Sequence, residues 1–362
     1  MRAAVLDEAR GAVEIRSVQV DKPAPYEILV RTAATGVCHS DLHAVLGDLP
    51  WPLPAVLGHE AAGVVEAVGS NVTTVQPGDH VVTCLSAFCG TCSFCLAGRS
   101  HLCQKEGLTR QAGTTPRLTL GAEVVGQFAG IGSFAEQMLV HENATVQVPT
   151  ELPLEIAALL GCGVTTGLGA VFNSAQVKPG QTVAVIGCGG IGLNTVQGAH
   201  LAGAARVIAI DISDDKLRLA RDFGATDVVH SSVVDPVEAV LELTNGGVQH
   251  AFEAIGHSAT ISQAFRMLGR GGTATVIGVP KAGASVEFPA AGLLHERRIQ
   301  GSFMGGTSFR AAVPAYAQLY LQGRLKLDEL IGGRASLDDL DGIFTNFTSS
   351  PSARQVVVFD IN

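Results

Sequence analysis

No Lys/Arg-rich run occurs anywhere in the 362 residues, and the formal net charge is −9. A general binder of nucleic acid or of an anionic membrane needs a basic surface, so neither partner is expected. Charged residues make up 16% of the chain against 47% hydrophobic. That balance suits a globular protein of about two domains with a sizeable core. No apolar run is fit to span a bilayer. The two long uncharged stretches, 156–177 and 179–205, are interrupted by Gly, Thr, Gln and Asn, where a transmembrane helix needs a more continuous apolar segment. The opening MRAAVLDEARGAVEI carries charge throughout and lacks the apolar core of a secretory signal. A soluble cytoplasmic protein is the expectation. There is no internal repeat, low-complexity segment or long linker.

Cysteine, by contrast, is plentiful. Eight are present, and without a secretory signal they are expected as reduced thiols rather than disulfides. Four of them, Cys89, Cys92, Cys95 and Cys103, follow the spacing C-x2-C-x2-C-x7-C. Four soft thiolates in so short a loop suit one tetrahedral zinc, and an all-sulfur site leaves no position for a substrate, so this is a structural clamp. The rival is an iron–sulfur cluster, whose similar ladder carries a proline after its last cysteine. Here Gln104 follows Cys103.

The first 150 residues read as β-rich and loop-rich, with short β-branched runs at 63–69 and 80–83 and a turn at Pro77-Gly78-Asp79. The stretch 104–133 reads as an extended loop. From about Val177 the rhythm changes to strands at 182–186, 207–210, 227–230, 249–254 and 273–279. Helices over 194–202, 214–222, 235–244 and 258–268 alternate with them, and Ser213 is placed to cap the second. This alternation indicates an α/β unit with a parallel, doubly wound sheet.

Between the first such strand and helix lies Gly187-Cys188-Gly189-Gly190-Ile191-Gly192, a complete G-x-G-x-x-G. The first glycine permits the tight turn, the second lets a pyrophosphate approach the backbone, and the third lets helix and strand pack closely. Asp211 closes the next strand, nineteen residues beyond Gly192. An acid there accepts from the adenosine ribose and repels a 2′-phosphate, favouring NAD over NADP. Ile212 and Ser213 follow, with no Arg to receive that phosphate. The bland alternative is a glycine turn in a fold that no longer binds nucleotide. Cys188 fills a variable position as a small apolar residue.

Cys38, Cys84 and Cys162 remain. Cys38 sits in Gly36-Val-Cys-His-Ser-Asp-Leu-His43, Gly58-His59-Glu60 follows, and Cys162 lies in Gly161-Cys-Gly-Val-Thr-Thr-Gly167. Spacing alone does not join residues so far apart, and Cys162 taken alone reads as a buried small hydrophobe. The motifs taken in order are another matter. GVCHSDLH, GHE-x2-G-x5-G, the four-cysteine lobe, GCGVTTG and GCGGIG resemble the zinc-dependent medium-chain alcohol dehydrogenases over essentially the whole chain. The likeness is to the long-loop branch near the class III-like bacterial enzymes. It implies a GroES-like β-rich catalytic domain of 1–155 and 300–362, carrying the structural zinc lobe 84–104, and a Rossmann NAD-binding domain of 156–299.

The resemblance further implies a second, catalytic zinc on Cys38, His59 and Cys162, with water or substrate as fourth ligand. Asp41 and Glu60 match the acids behind it, Asp41 orienting the ring of His59. Two thiolates and a neutral imidazole suit such an open site. The zinc would lower the pKa of an alcohol so that its carbon can release hydride to NAD. Ser40 and His43 match the relay that carries the proton to solvent. His39 and Arg354 match contacts to the cofactor phosphates, Thr166 and Val279 lie where the nicotinamide sits, and Lys216 lies near the adenosine ribose. Leu49, Leu85, Leu108 and Phe128 match the substrate pocket. All four are apolar, so a hydrophobic primary alcohol or its aldehyde, benzyl-type or medium-chain, is the expected substrate.

Two other activities stay open within the family. One is a thiol-dependent formaldehyde dehydrogenase, for which Arg110 and Arg117 could grip the adduct although Leu49 replaces an acid. The other is an enzyme with tightly bound NAD that needs an artificial acceptor. The long loop 103–134 points to a homodimer, with a tetramer as the alternative. A zinc-free quinone reductase would lack the three ligands, and a non-catalytic NAD-binding protein would not need Ser40 and His43.

Overall fold

The computed structural model describes residues 1–105, 107–111, 113–347 and 354–360. Ser352 and Ala353, which precede Arg354 in its motif, lie outside the described residues, as do 348–351, 361 and 362 of the C-terminal segment. The chain forms two compact units, one of Met1–Cys162 with Thr307–Asn362 and one of Gly163–Gly306. No helix among the described residues is long and apolar enough to cross a membrane.

The first unit is built around the eleven-residue strand Glu27–Val37, whose apolar and β-branched sequence is buried along nearly its whole length. It pairs antiparallel with Glu60–Val68, Gln137–His141 and the C-terminal strand Arg354–Val358. In such a ladder the end of one strand lies beside the start of the next. Gly36 therefore stands opposite Glu60 on one side and Val356 on the other, and Gln355 is opposite Val37. Cys38, at the end of the central strand, is brought to His59, at the start of its neighbour. The short helix Leu154–Leu159 packs on Glu27–Val37, Glu60–Val68 and His80–Thr83, and the chain after it brings Cys162 close to Cys38 and His59. Gly161 makes this approach feasible, since a Cβ there would lie 2.5 Å from the Thr83 carbonyl.

The stretch 104–133 contains more structure than the extended loop expected from its sequence. Leu118–Leu120 pairs with Gln19–Val20 and with Glu123–Val124, while Gly126–Gln127 adds in parallel to Ala55–Val56. These strands are two or three residues long and their partners are remote in the chain, so periodicity has too few residues to act on.

The second unit carries a six-stranded, all-parallel sheet in the order Asp227–His230, Arg206–Asp211, Thr182–Ile186, Val248–Glu253, Leu268–Val276, Arg298–Gly301. Chain order reverses at the central Thr182–Ile186, and ligands of such sheets bind outside the carboxyl ends of the strands at that point. The helix expected over 194–202 begins at Gly190 and runs to Leu201. Asn194 Nδ2 donates to the Gly190 carbonyl at 2.7 Å, and Thr195 Oγ1 to that of Ile191 at 3.0 Å, so the glycines form its first turn. The strand expected over 273–279 begins at Leu268 in spite of Gly269, Gly271 and Gly272, and ends at Val276. The helix Asp214–Asp222 has Ser213 at its N-cap, as its sequence suggests.

Candidate functional site

Asp41 is the residue on which the first cluster is built. Cys38 caps the helix His39–Val45, and Asp41 in its first turn closes a capping box by accepting from the Cys38 backbone N–H at 3.0 Å. The other carboxylate oxygen accepts from the Gly58 N–H at 3.2 Å and faces His59 Nδ1 at 3.0 Å. One fully buried carboxylate thus fixes the backbone of Cys38, the turn before His59 and the ring of His59. With Nδ1 donating to Asp41, Nε2 is left as the acceptor. That Nε2 is buried and makes no hydrogen bond of ordinary geometry among the described residues.

One donor atom from each of Cys38, His59, Glu60 and Cys162 lies within 4.8 Å of the others, all four residues being buried. The Cys162 thiol bonded to it holds the Cys38 thiol well below its usual value against the opposing effect of burial, and the Arg354 charge adds to this. Cys162 is pushed up in turn, by Cys38 and by burial. Burial works against a charged imidazole at His59, yet the Asp41 carboxylate outweighs it and raises that ring well above its usual value. Two sulfurs, an imidazole nitrogen and a carboxylate so close together are a group that could hold a metal ion.

Glu60 belongs to the same group. Burial pushes its carboxyl up to about 7 against the pull of Arg354. The two side chains lie 3.0 Å apart, buried and not aligned as a hydrogen bond, and Arg354 also donates to the Val37 carbonyl at 3.3 Å. Space for this carboxylate comes from Gly36, where a Cβ would stand 2.7 Å from Glu60 Oε1.

Ser40 Oγ is 3.9 Å from Cys38 Sγ. His43, one turn further along the same helix, is partly exposed, with Nδ1 3.6 Å from Asp48 Oδ2. His39 stacks edge to face on Phe347, their rings 4.6 Å apart. Of the four residues expected in the substrate pocket, Phe128 meets the His59 ring edge to face at 5.6 Å, and Leu49 packs against the cluster containing Phe128. Leu85 packs against a second cluster with Ile28, Val65 and Met138. Leu108 is buried, and its carbonyl accepts from Arg117 at 2.9 Å. Trp51, which no motif marks, lies on Phe128 at 5.1 Å.

Arg110 and Arg117 are turned to a structural task. Glu27, almost wholly buried, accepts from Arg110 at 2.6 Å and from Arg117 at 2.7 Å, and Arg110 also bonds Asp21. The carbonyls of Lys22, Thr115 and Pro116 take further donors of Arg110. Both arginines thereby bond the Glu27 carboxylate at the start of the strand Glu27–Val37.

The four-cysteine lobe is compact. Cys89 and Cys95 sulfurs are 4.0 Å apart and those of Cys92 and Cys103 3.9 Å. A disulfide would bring them to about 2 Å, whereas ligands on one tetrahedral zinc at about 2.3 Å stand about 3.8 Å apart. Backbone N–H groups of Cys89 and Lys105 donate to Cys103 Sγ at 3.1 Å, and that of Cys92 to Cys89 Sγ at 3.3 Å. Donors from Thr91 lower the Cys89 thiol to about 6, and burial raises Cys95 to about 12. Cys84, outside both clusters, is buried against Ser86 Oγ at 3.1 Å.

In the second unit the three glycines divide the work as their motif demands. Gly187 has φ +91° and a Cβ there would strike Ile255, a Cβ on Gly192 would lie 1.7 Å from the Gly187 carbonyl, and around Gly189 there is open space. That open space beside the amino end of a twelve-residue helix with no side-chain cap fits an incoming phosphate. Asp211 Oδ2 accepts from the Cys188 N–H at 2.7 Å, and Oδ1 from those of Ile212 and Ser213 at 2.8 and 3.1 Å. One lone pair of Oδ2 remains for a ligand hydroxyl. Lys216 stands in the first turn of Asp214–Asp222. Val279 is half-exposed, and Thr166 is buried with its hydroxyl on Met304 Sδ at 3.6 Å.

Comparison with known proteins bears on both units. Residues 24–150 match the alcohol dehydrogenase GroES-like domain, and residues 190–319 match the zinc-binding dehydrogenase family. A Schizosaccharomyces pombe protein named "Probable S-(hydroxymethyl)glutathione dehydrogenase 1" is 39% identical over 98% of this chain and 96% of its own. The structure of benzyl alcohol dehydrogenase from Acinetobacter calcoaceticus superposes with a TM-score of 0.93 at 34% identity, covering 99% of each chain. A Sinorhizobium meliloti 1021 structure described as a "putative zinc-binding dehydrogenase", solved bound to NADP, superposes with a TM-score of 0.84 at 32% identity, again over 99% of each chain.

Proposed function

The chain belongs to the zinc-binding alcohol dehydrogenase family, with a GroES-like domain and a Rossmann-type parallel sheet, and from that premise we propose that it interconverts an apolar primary alcohol and its aldehyde with NAD. The observation that carries the reading is the convergence of Cys38, Cys162 and the unpartnered His59 Nε2 around one point. Cys38, His59 and Cys162 would hold a zinc ion there, which would supply the Lewis acidity for alcohol deprotonation and, in reverse, for activating the aldehyde carbonyl. NAD at the Gly187–Gly192 turn supplies the hydride acceptor.

The chain's own residues do the rest. Asp41 keeps the His59 proton on Nδ1, so that Nε2 stays a lone-pair donor. Ser40, two residues beyond Cys38, would take the alcohol proton while passing its own to the cofactor ribose, and His43 would take that proton on to solvent. The buried Arg354 cation offsets the Glu60 carboxylate, leaving the two thiolates to balance the metal's charge. Leu49 and Phe128 give the site an apolar wall. A second zinc on Cys89, Cys92, Cys95 and Cys103 fixes its loop, and the long loop 103–134 is consistent with a homodimer.

For the cofactor, Asp211 supports NAD, since an acid ending this strand would repel a 2′-phosphate and its Oδ2 keeps a lone pair for a ribose hydroxyl. A related structure holds NADP, so the choice rests on this chain's own acid and not on the fold. One relative's name favours a second reading, in which the substrate is a thiol adduct of formaldehyde. Against it, Arg110 and Arg117 are spent on Glu27 and Asp21, and Leu49 offers no charge.

Initial rates of NADH formation with benzyl alcohol, octanol, ethanol, and formaldehyde plus glutathione separate these readings, with NAD and NADP side by side. Rapid NAD reduction by benzyl alcohol or octanol is the expected result. Turnover confined to formaldehyde with the thiol would establish the second reading in its place. Turnover seen only with an artificial acceptor would identify a cofactor that does not exchange.

A further inference from the structure

Trp51 is the chain's single tryptophan, and it ends an aromatic series that starts on the metal-site imidazole. His59 and Phe128 meet edge to face with centroids 5.6 Å apart and planes at 70°, and Phe128 and Trp51 repeat the arrangement at 5.1 Å and 71°. Exposure rises along the series from 0% at His59 to 3% at Phe128 and 37% at Trp51. The indole is held on a stiff segment, with Pro50 and Pro52 on either side and Pro54 beyond, each fixing its own φ. Leu49 and Leu53 of the same segment pack against the cluster that contains Phe128.

A large exposed aromatic on a rigid backbone loses little freedom when it meets a ligand, so its contact area converts efficiently into affinity. Trp51 meets Phe128 edge to face and still keeps 37% of its surface exposed. Aromatic rings favour partners at about 4.5–7 Å in offset or edge-to-face geometry. A benzylic alcohol whose hydroxyl lay at the Cys38, His59 and Cys162 cluster would bring its ring towards Phe128 and Trp51, which these ring contacts link to His59. Ethanol is too short to do so.

We propose that Trp51 is a specificity-determining residue, whose exposed indole face receives the aromatic ring of the substrate alcohol. This rests on the alcohol dehydrogenase reading above and extends it to a residue outside the family motifs. A purely structural Trp51, acting as a cover for Phe128, would affect all alcohols alike.

The test uses the purified full-length protein and compares kcat/KM for benzyl alcohol and ethanol in wild type, Trp51→Ala and Trp51→Phe. In Trp51→Ala the benzyl-to-ethanol ratio is expected to fall about tenfold, chiefly through KM for benzyl alcohol, and Trp51→Phe restores most of it. An unchanged ratio, or equal losses on both alcohols, overturns the proposal. Should Trp51→Ala fail to fold, fluorescence of the lone tryptophan in wild type decides. Benzyl alcohol is expected to change it saturably and ethanol at equal concentration to leave it unaltered, while equal responses contradict the proposal. A wild type that oxidises no alcohol would sink the alcohol dehydrogenase reading alone, and the fluorescence titration would still decide on Trp51.

Discussion

Asp41 holds His59 by a 3.0 Å contact between carboxylate oxygen and Nδ1, both side chains wholly buried. Because the second oxygen of Asp41 holds the backbone of Cys38, one carboxylate sets two of the three expected metal donors. Asp41→Asn puts an amide where one of these oxygens now accepts an N–H. Supporting residues of this kind change metal affinity by about 10- to 100-fold. Competition with a chelator should show one of two bound zinc ions released at correspondingly lower chelator concentration. Unchanged release of both ions would remove Asp41 from this role.

Asp211 accepts three backbone N–H groups and is expected to take a fourth donor from the ribose. Hydrogen bonds to a charged group contribute about 1.5–3 kcal/mol. Asp211→Asn should therefore raise KM for NAD by roughly 10- to 100-fold and narrow the preference over NADP. The check is a pair of saturation curves. Equal KM for NAD in wild type and variant would contradict the assignment.

The Glu27 cluster makes a stability prediction with a defined sign. Burial alone would raise the Glu27 carboxyl, but bonds from Arg110, the Ala24 N–H and Arg117 hold it below the ordinary glutamate value of 4.5. A group with a depressed folded-state pKa stabilises the fold above its unfolded value and loses that contribution as pH falls through the folded one. Glu27→Gln, which leaves two arginines facing a neutral amide, should cost about 3 kcal/mol near neutral pH. In denaturant titrations the gap between wild type and variant should close as pH falls below 4.5. A gap independent of pH would mean that packing, not charge, holds the 107–117 loop.

The parallel sheet was legible in the sequence because its strands and helices alternate in runs long enough for periodicity to speak. The strands Thr182–Ile186 and Asp227–His230 and the helix Asp214–Asp222 stand where their patterns put them. The glycine turn was equally readable, since each glycine answers to a steric demand visible in the motif. Periodicity could not bring Cys38, His59 and Cys162 together. That depends on an antiparallel ladder and a packed helix joining positions over a hundred residues apart, and only the resemblance reached it. Arg110 and Arg117 kept the thiol-adduct alternative open because their partner Glu27 lies 83 and 90 residues away in the chain. Trp51 carried no spacing signal at all, its meaning arising from the rings it touches.

Zinc content measured together with turnover, in wild type and in Cys162→Ala, tests for a catalytic metal on Cys38, His59 and Cys162. Two zinc ions per chain are expected in wild type and one in the variant. Loss of the Lewis acid is worth several kcal/mol of barrier, so NAD reduction by benzyl alcohol should fall by about a thousandfold or more. A variant that loses one zinc yet keeps its activity, or a wild type that binds only one, would contradict a catalytic metal on Cys38, His59 and Cys162.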